Sequence, residues 1–201
     1  MTASLAPRAI AAVGLMIQLA GCGSSIPIRS YELGGLAPAA TGTTSEAGLP
    51  VVELKTVTVP DYLDSSDILR RSGANELIAS PSGRWGERLS LGLTHALASS
   101  LARRLPHEVI TTNAGAEPTR RLVVDVESFE IGADGGCLLS ARWRFAAADG
   151  AAAAPGEHGS FSEAAGMSDD AAAAAAMSRA VDQLAEQIAA TVRRALPNQQ
   201  R

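Results

Sequence analysis

The sequence predicts a single α+β domain with a mainly antiparallel sheet and two helices packed on one face. The length of 201 residues suits one domain. Strand-like segments come in runs instead of alternating singly with helices, which favours an α+β arrangement. Two longer segments carry an apolar stripe at helical spacing. Hydrophobic residues make up 46% of the chain and charged residues 19%, so it can bury a core.

Strand-like segments open the predicted domain. We expect a first strand over Ile26–Leu33 and a second over Val51–Val59, which is rich in β-branched residues and is ended by Pro60. Gly34–Pro50, rich in Gly, Ala, Thr and Pro, reads as a loop between them. A hairpin is predicted over Ile68–Ala79, because two short extended runs flank a Gly/Asn turn.

The first helix is predicted from Arg84 to Arg104. Its apolar residues recur every three or four positions: Trp85, Leu89, Leu93, Ala96, Leu97, Leu101 and Leu105. Ser82, in a Pro-Ser-Gly segment, is the expected N-cap, and Pro106 ends the helix.

The middle of the chain predicts a short strand over Glu108–Thr112 and a clearer one over Arg121–Val126. The apolar alternation of the second strand changes parity at Phe129 and Ile131. We therefore expect a β-bulge or bend near Ser128.

The last third predicts a strand over Cys137–Phe145, whose period of two indicates one buried face. A low-complexity loop, Ala147–Gly159, separates it from a last strand over Ser160–Ala164. The final helix is expected to open at Ser168–Asp170 and to close at Pro197. Its apolar stripe comprises Met177, Val181, Leu184, Ile188 and Val192.

The first 21 residues are typical of a signal peptide. Arg8 provides a positive start, and residues 9–17 form an apolar run too short to span a bilayer. Leu19-Ala20-Gly21-Cys22 then resembles a bacterial lipobox, which predicts cleavage between Gly21 and Cys22 and acylation of Cys22. The alternative is an ordinary secretory signal with an incidental cysteine.

The predicted organisation is a signal peptide at 1–21, an acylated tether at 22–25, the folded domain at 26–197 and a tail at 198–201. Two or more acyl chains give stable anchoring. Position 23 is Gly, as in lipoproteins sorted to the outer membrane, whereas an Asp there would favour retention at the inner membrane. By this resemblance we expect a periplasm-facing outer-membrane anchor. The short tether places the domain close to the lipid.

Composition excludes some functions. The formal net charge of −4 argues against nucleic-acid binding, which needs a basic footprint. With Cys22 acylated, Cys137 is the one remaining thiol, and its place in an apolar alternation favours a buried, inert thiol over a reactive one.

No catalytic pattern stands out. His95, His107 and His158 fall on different predicted elements, and no Gly-x-Ser-x-Gly elbow occurs. Lys55 lacks a serine three residues earlier, and no metal-ligand spacing is visible, so neither a hydrolase nor a cofactor is predicted.

One loop is a candidate for binding a partner, and its residues are Pro60, Asp61, Tyr62 and Leu63. It is either a turn that ends a strand, with Tyr62 packing inward, or an exposed contact loop. Trp85 is expected in the core, with a partner anchor as the alternative, and Trp143 is expected in the core.

Several segments together resemble the ABC-type transport auxiliary lipoprotein family. The first is the acylation site followed by Tyr31-Glu32-Leu33, and the second is Val57–Asp64, which contains Pro60 and Tyr62-Leu63-Asp64. The others, in chain order, are Ile68–Arg71 together with Asn75-Glu76-Leu77, then Arg84–Leu89, and finally Ala141–Arg144. The Gly34–Pro50 and Ala147–Gly159 segments depart from the family pattern.

This resemblance implies a non-enzymatic accessory protein of a lipid or membrane-integrity transport system. Its implied partner is a periplasmic MCE-domain protein of an ABC-type or PqiAB-like transporter, with the membrane held through the lipid anchor. A homo-oligomer is left open, and no nucleic-acid partner is implied. The alternative is a lipoprotein that carries a hydrophobic ligand in its own core, which needs a continuous apolar cavity.

Overall fold

The computed structural model describes residues 27–35, 48–113, 117–147, 155–166 and 169–195. These ranges form an eight-stranded mixed sheet and two helices. In chain order the strands are β1 Arg29–Tyr31, β2 Val51–Leu54, β3 Asp67–Arg71, β4 Leu77–Trp85, β5 Val109–Thr111, β6 Arg120–Ile131, β7 Gly136–Ala147 and β8 Glu157–Ala164. The helices are α1 Leu89–Arg104, between β4 and β5, and α2 Asp170–Ala195.

The sheet is not mainly antiparallel, so that prediction is wrong. Strands β1, β4, β3, β6, β2 and β5 follow one another in pairing order, and β7 and then β8 extend the sheet from β6. Four of the seven pairings between described strands are parallel: β1 with β4, β2 with β5, β2 with β6, and β3 with β6. The alternation of apolar and polar residues predicts hairpins between strands that are neighbours in the sequence. It gives no signal for the parallel pairs, because these join strands far apart in the chain.

Three separate segments share one edge of β6. Strand β2 pairs at Val52 opposite Arg120, and β3 pairs at Arg70 opposite Ile131. Between them, the Thr58 N–H donates to the Val124 carbonyl at 3.0 Å, and the Val126 N–H donates to the Thr58 carbonyl at 2.8 Å. The predicted Val51–Val59 strand therefore leaves the β2 ladder at Leu54 but continues along β6.

The predicted bulge is confirmed. The register between β6 and β7 shifts between Val126 and Ser128. Phe129 and Ile131 are each 1% exposed, so the extra residue returns them to the buried face that Val124 occupies before it.

The start of the first helix differs from the prediction. Strand β4 runs through the Pro-Ser-Gly segment as far as Trp85, and α1 begins only at Leu89. Ser82 does not cap α1, because its hydroxyl donates to Asp170 Oδ2 at 2.9 Å. β1 pairs in parallel with Gly83–Trp85 and holds this stretch in the sheet.

One core joins the inward faces of the strands to the apolar stripes of both helices. Trp85 and Trp143 are 5% and 2% exposed, which confirms their core positions. Cys137 is buried as predicted, and its burial, reinforced by the charge of Glu163, raises the pKa of its thiol to about 12.

The remaining boundaries shift by a few residues. The first strand is confined to Arg29–Tyr31, and the last one begins at Glu157, within the expected loop. Helix α2 begins at Asp170, and Ser168, where the predicted helix opens, lies outside the described residues.

Candidate functional site

The segment Pro60–Asp64 forms a turn between Thr58, which bridges to β6, and the start of β3. The Leu63 N–H closes it on the Pro60 carbonyl at 2.9 Å. Leu63 is 1% exposed and belongs to the core, whereas Tyr62 is 48% exposed and Asp61 also faces solvent. Of the four predicted contact residues, Tyr62 and Asp61 present their side chains outward, Pro60 is half-buried and Leu63 holds the turn in place.

Asp64 fixes this turn to α1. The Ser90 N–H donates to Asp64 Oδ1 at 3.1 Å, and Arg88 Nη2 lies 3.3 Å from Oδ2. Hydrogen bonding by Ser90, with the charge of Arg88, keeps the pKa of Asp64 below its ordinary value against the effect of burial. The consecutive residues Tyr62, Leu63 and Asp64 thus face solvent, the core and a helix end respectively.

Tyr62 lies near an ion pair on the side of the sheet opposite the helices. Arg71 Nε and Nη2 contact the two carboxylate oxygens of Glu130 at 2.6 and 2.9 Å, a bidentate arrangement. Partial burial raises the pKa of Tyr62, and the Glu130 charge adds to this while Arg71 opposes it. The phenol therefore stays protonated at neutral pH and can donate a hydrogen bond.

Leu138 extends this surface onto the next strand. It pairs with Glu130 across β6 and β7 and is 46% exposed. We call Tyr62, Arg71, Glu130 and Leu138 the outer patch. The sequence prediction includes Tyr62 alone; the signal for Leu138 is an apolar residue on the strand face otherwise formed by Ser140, Arg142 and Arg144.

A second polar cluster lies on the same face of the sheet, and sequence reasoning does not predict it. Ser140 Oγ lies 3.1 Å from His158 Nε2, and the same nitrogen lies 3.3 Å from Glu127 Oε2. Arg142 Nη2 contacts Glu127 Oε1 at 2.7 Å. A catalytic relay engages the serine and the carboxylate through different ring nitrogens. This cluster uses Nε2 for both, so it is an exposed ionic network without the geometry of a triad.

Asp170, the first residue of α2, closes a buried polar junction with β4 and β3. Its Oδ2 accepts hydrogen bonds from Ser80 and Ser82 at 2.6 and 2.9 Å, and its Oδ1 lies 3.4 Å from Arg70 Nη2. Burial acts to raise the pKa of Asp170, but these hydrogen bonds and the Arg70 charge outweigh it and hold the pKa below its ordinary value. A Cβ on Gly83 would lie 2.6 Å from Oδ2, so a larger residue here would displace the carboxylate from its present position.

An open cleft of about 460 Å³ lies beside this junction. Its lining includes the apolar residues Ile78, Ala79, Pro81 and Ala133. A cavity beside Trp85 measures only about 10 Å³, about the space of one water-sized probe. The cavity beside Trp85 is too small for an acyl chain, so it gives no support to a ligand carried in the core.

The remaining expectations concern the signal cleavage and acylation sites, metal binding and membrane-spanning helices. Gly21 and Cys22 lie outside them, so the cleavage and acylation sites stay predictions. Within the described ranges there is no group of three or more side chains placed to hold a metal ion. Neither described helix has the length and apolar character needed to cross a membrane.

Comparison with solved structures shows the fold. The chain superposes on a crystal structure of an uncharacterized protein with a TM-score of 0.68 and 18% identity, covering 82% of this chain and 99% of the other. A crystal structure from Xanthomonas campestris matches with a TM-score of 0.59 and 16% identity, covering 82% of this chain and 85% of the other.

Comparison with known sequences identifies the family. The intermembrane transport lipoprotein PqiC of Escherichia coli (strain K12) is 26% identical over 125 residues, which cover 62% of this chain and 67% of PqiC. PqiC of Shigella flexneri matches to the same extent. The family model described as the ABC-type transport auxiliary lipoprotein component matches residues 31–189, from β1 into α2. The chain therefore belongs to the ABC-type transport auxiliary lipoprotein family.

Proposed function

We propose that this protein is a lipid-anchored accessory component of an intermembrane lipid transport system and performs no chemistry of its own. It is held at the outer membrane through Cys22, faces the periplasm and docks an MCE-domain protein of an ABC-type or PqiAB-like transporter. The observation that carries this proposal is the family match over residues 31–189, together with the likeness to PqiC.

The outer patch supplies the docking surface. Protein interfaces concentrate their binding energy in exposed Tyr, Trp and Arg residues next to apolar area. Tyr62 offers a half-exposed ring with a protonated hydroxyl, and Leu138 offers apolar surface beside it. The Arg71–Glu130 pair is bidentate, so each charge keeps its partner when a docked protein excludes water around them.

Absence of catalysis is part of the proposal and rests on geometry. Of the three histidines, His158 is the one that lies with a serine and a carboxylate, and it contacts both through one nitrogen. The cluster is exposed and lies outside the cleft and the small cavity described above.

The docking proposal is tested by crosslinking and co-purification with the MCE-domain partner. Tyr62→Ala is expected to reduce capture of the partner, because it removes the largest exposed ring of the outer patch. Leu91→Ala is the matched control, since Leu91 is 39% exposed and lies on α1, outside the outer patch. Equal capture by both variants, with unchanged thermal midpoints, would place the contact surface elsewhere. Failure of the wild type to be captured would refute docking itself.

The anchor is tested separately. Mass spectrometry of the mature protein is expected to find Cys22 as the amino-terminal residue carrying lipid, and Cys22→Ser is expected to abolish that modification. An unmodified mature terminus at another residue would remove the basis for the predicted 1–21, 22–25, 26–197 and 198–201 organisation.

A further inference from the structure

The amino-terminal strand enters the domain from one identifiable end. Strand β1 runs parallel to β4, with Arg29 opposite Gly83 and Tyr31 opposite Trp85. The chain before Arg29 therefore arrives from the side on which β4 leads back to Leu77. We call this the turn end, because residues 72–76 and 132–135 connect neighbouring strands there.

Both turns belong to the same end of the sheet. Strands β3 and β6 are parallel, with Arg70 opposite Ile131, so the turns that follow them lie side by side. The Ser80 hydroxyl contacts Asp170, which brings the first residue of α2 to this end as well.

Exposed apolar side chains concentrate near the turn end. Among described residues, the large hydrophobic side chains with substantial exposure are Ile28, Tyr62, Ile78, Leu91 and Leu138. Ile78 and Leu138 lie within a few residues of the two turns. Tyr62 lies beside the Arg71–Glu130 ion pair, and Ile28 precedes β1.

The two faces of this end carry different members of that group. Tyr62 and Leu138 belong to the outer patch. Ile78 pairs with Arg70 and shares the alternation of Ser80, which faces α2, so Ile78 lies on the helix side beside the 460 Å³ cleft. Ile78 is 51% exposed and Ile28 62%, and the outer patch includes neither.

The length of the tether restricts where the lipid lies. Five peptide steps separate Cys22 from Pro27, which gives a reach of at most about 18 Å. The β1–β4 register places Arg29 opposite Gly83, so Pro27 lies toward the Leu77 end of β4. The tether therefore holds the lipid within about 18 Å of Pro27, on the side of the sheet where the two turns lie.

The charges at the turn end suit a zwitterionic lipid surface. Arg70 is paired with Asp170 and Arg71 with Glu130, so neither cation is left to recruit anionic lipid. Glu76 and Asp134 are exposed in the two turns and repel an anionic surface.

We infer that the turn end rests on the membrane surface, with Ile78 in contact with zwitterionic lipid. This inference rests on the proposed anchor at Cys22. A short tether keeps the side of the sheet that carries the turn end close to the bilayer, and the apolar side chain of Ile78 there adds contact area to the anchor. The outer patch, on the other face of the same end, stays open to a partner that reaches the membrane surface.

The orientation is tested on the lipidated full-length protein in vesicles of phosphatidylethanolamine and phosphatidylcholine, part of which carries a nitroxide on the acyl chain. A fluorophore is attached at Ile78→Cys, at Leu91→Cys as the matched exposed apolar control, and at His107→Cys between α1 and β5. Acylated Cys22 has no free thiol, and Cys137 is buried with a pKa of about 12, so labelling is confined to the introduced cysteine.

The nitroxide lipid is expected to quench the label at position 78 strongly and those at 91 and 107 weakly. Equal quenching at all three positions, or strongest quenching at 107, overturns the inference while the anchor stands. Vesicle flotation is measured in parallel. A chain that does not float with vesicles refutes the anchor and this orientation together. Unchanged thermal midpoints show that the variants are folded.

Discussion

The carboxylate of Asp64 accepts a hydrogen bond from the backbone N–H of Ser90 at 3.1 Å, so a residue 26 positions earlier in the chain serves the first turn of α1. The helix has no side-chain cap of its own, since Arg88 stands at the N-cap position and no acidic residue lies in the first turn. A carboxylate at this end satisfies a backbone donor and complements the helix dipole.

Asp64→Ala is expected to lower the free energy of unfolding by about 1 kcal/mol, as loss of a capping side chain does. Asp64→Asn is the control that keeps an acceptor without the charge, and we expect it to cost less. Because the folded-state pKa of Asp64 is lowered, its charge stabilises the fold above the unfolded pKa, and this contribution disappears as pH falls through the folded value. Urea unfolding at several pH values measures both effects, and a variant cost independent of pH would contradict the electrostatic part.

Gly83→Ala is expected to destabilise the fold by about 1–3 kcal/mol, in the range of overpacked sites. The new Cβ would lie 2.6 Å from Asp170 Oδ2 and would displace that carboxylate from Ser80 and Ser82. Gly73→Ala is the matched control, because a Cβ there meets nothing within 4 Å. Thermal unfolding of the two variants gives the comparison, and equal midpoints would show that the junction yields without cost.

Trp143→Ala is expected to cost about 3–5 kcal/mol, as truncation of a large core residue does. Trp143→Phe should cost clearly less, because the buried Nε1 has no hydrogen-bond partner among the described residues and its removal breaks no bond. Chemical denaturation of both variants tests this. A cost below about 1 kcal/mol for Trp143→Ala, in the range of surface positions, would place the ring outside the core.

Cys137 is expected to resist alkylation near pH 8 in the folded protein and to react once the chain is unfolded. Its 1% exposure and its pKa of about 12 leave almost no accessible thiolate. Mass spectrometry after treatment with iodoacetamide gives the extent of modification, and Ile78→Cys supplies an exposed thiol in the same chain as a control. Rapid modification of native Cys137 would show that β7 opens readily.

Alternation and helical periodicity predict the central parts of most local elements, but not all of their ends. The bulge after Val126 and the inward faces of β6 and β7 follow directly from the spacing of apolar residues. The parallel pairings have no such signal, because β2 meets β6 across nearly 70 positions and each strand looks the same whichever neighbour it takes. Pro81-Ser82-Gly83 resembles the start of a helix, and the carboxylate that keeps Ser82 in a strand lies 88 residues away at Asp170.

The candidate site is predictable only in part, because some of its residues form one local segment and others come from distant strands. The Pro-x-Tyr-Leu-Asp segment is recognisable as a unit, but its three final residues have different surroundings: solvent for Tyr62, the core for Leu63 and a helix end for Asp64. Arg71 and Glu130 come from strands 59 residues apart, and only the register of β3 on β6 brings them to Tyr62.

The single edge of β6 that receives β2, Thr58 and β3 also determines the order in which the chain can fold. A polypeptide that emerges amino terminus first releases β1 to β5 before any residue of β6. Until residues 120–131 have emerged, β2 and β3 have no common strand to pair with, although the β3–β4 hairpin can close locally. Folding therefore waits for the second half of the chain, and these distant pairings make it slow relative to a helical protein of this length.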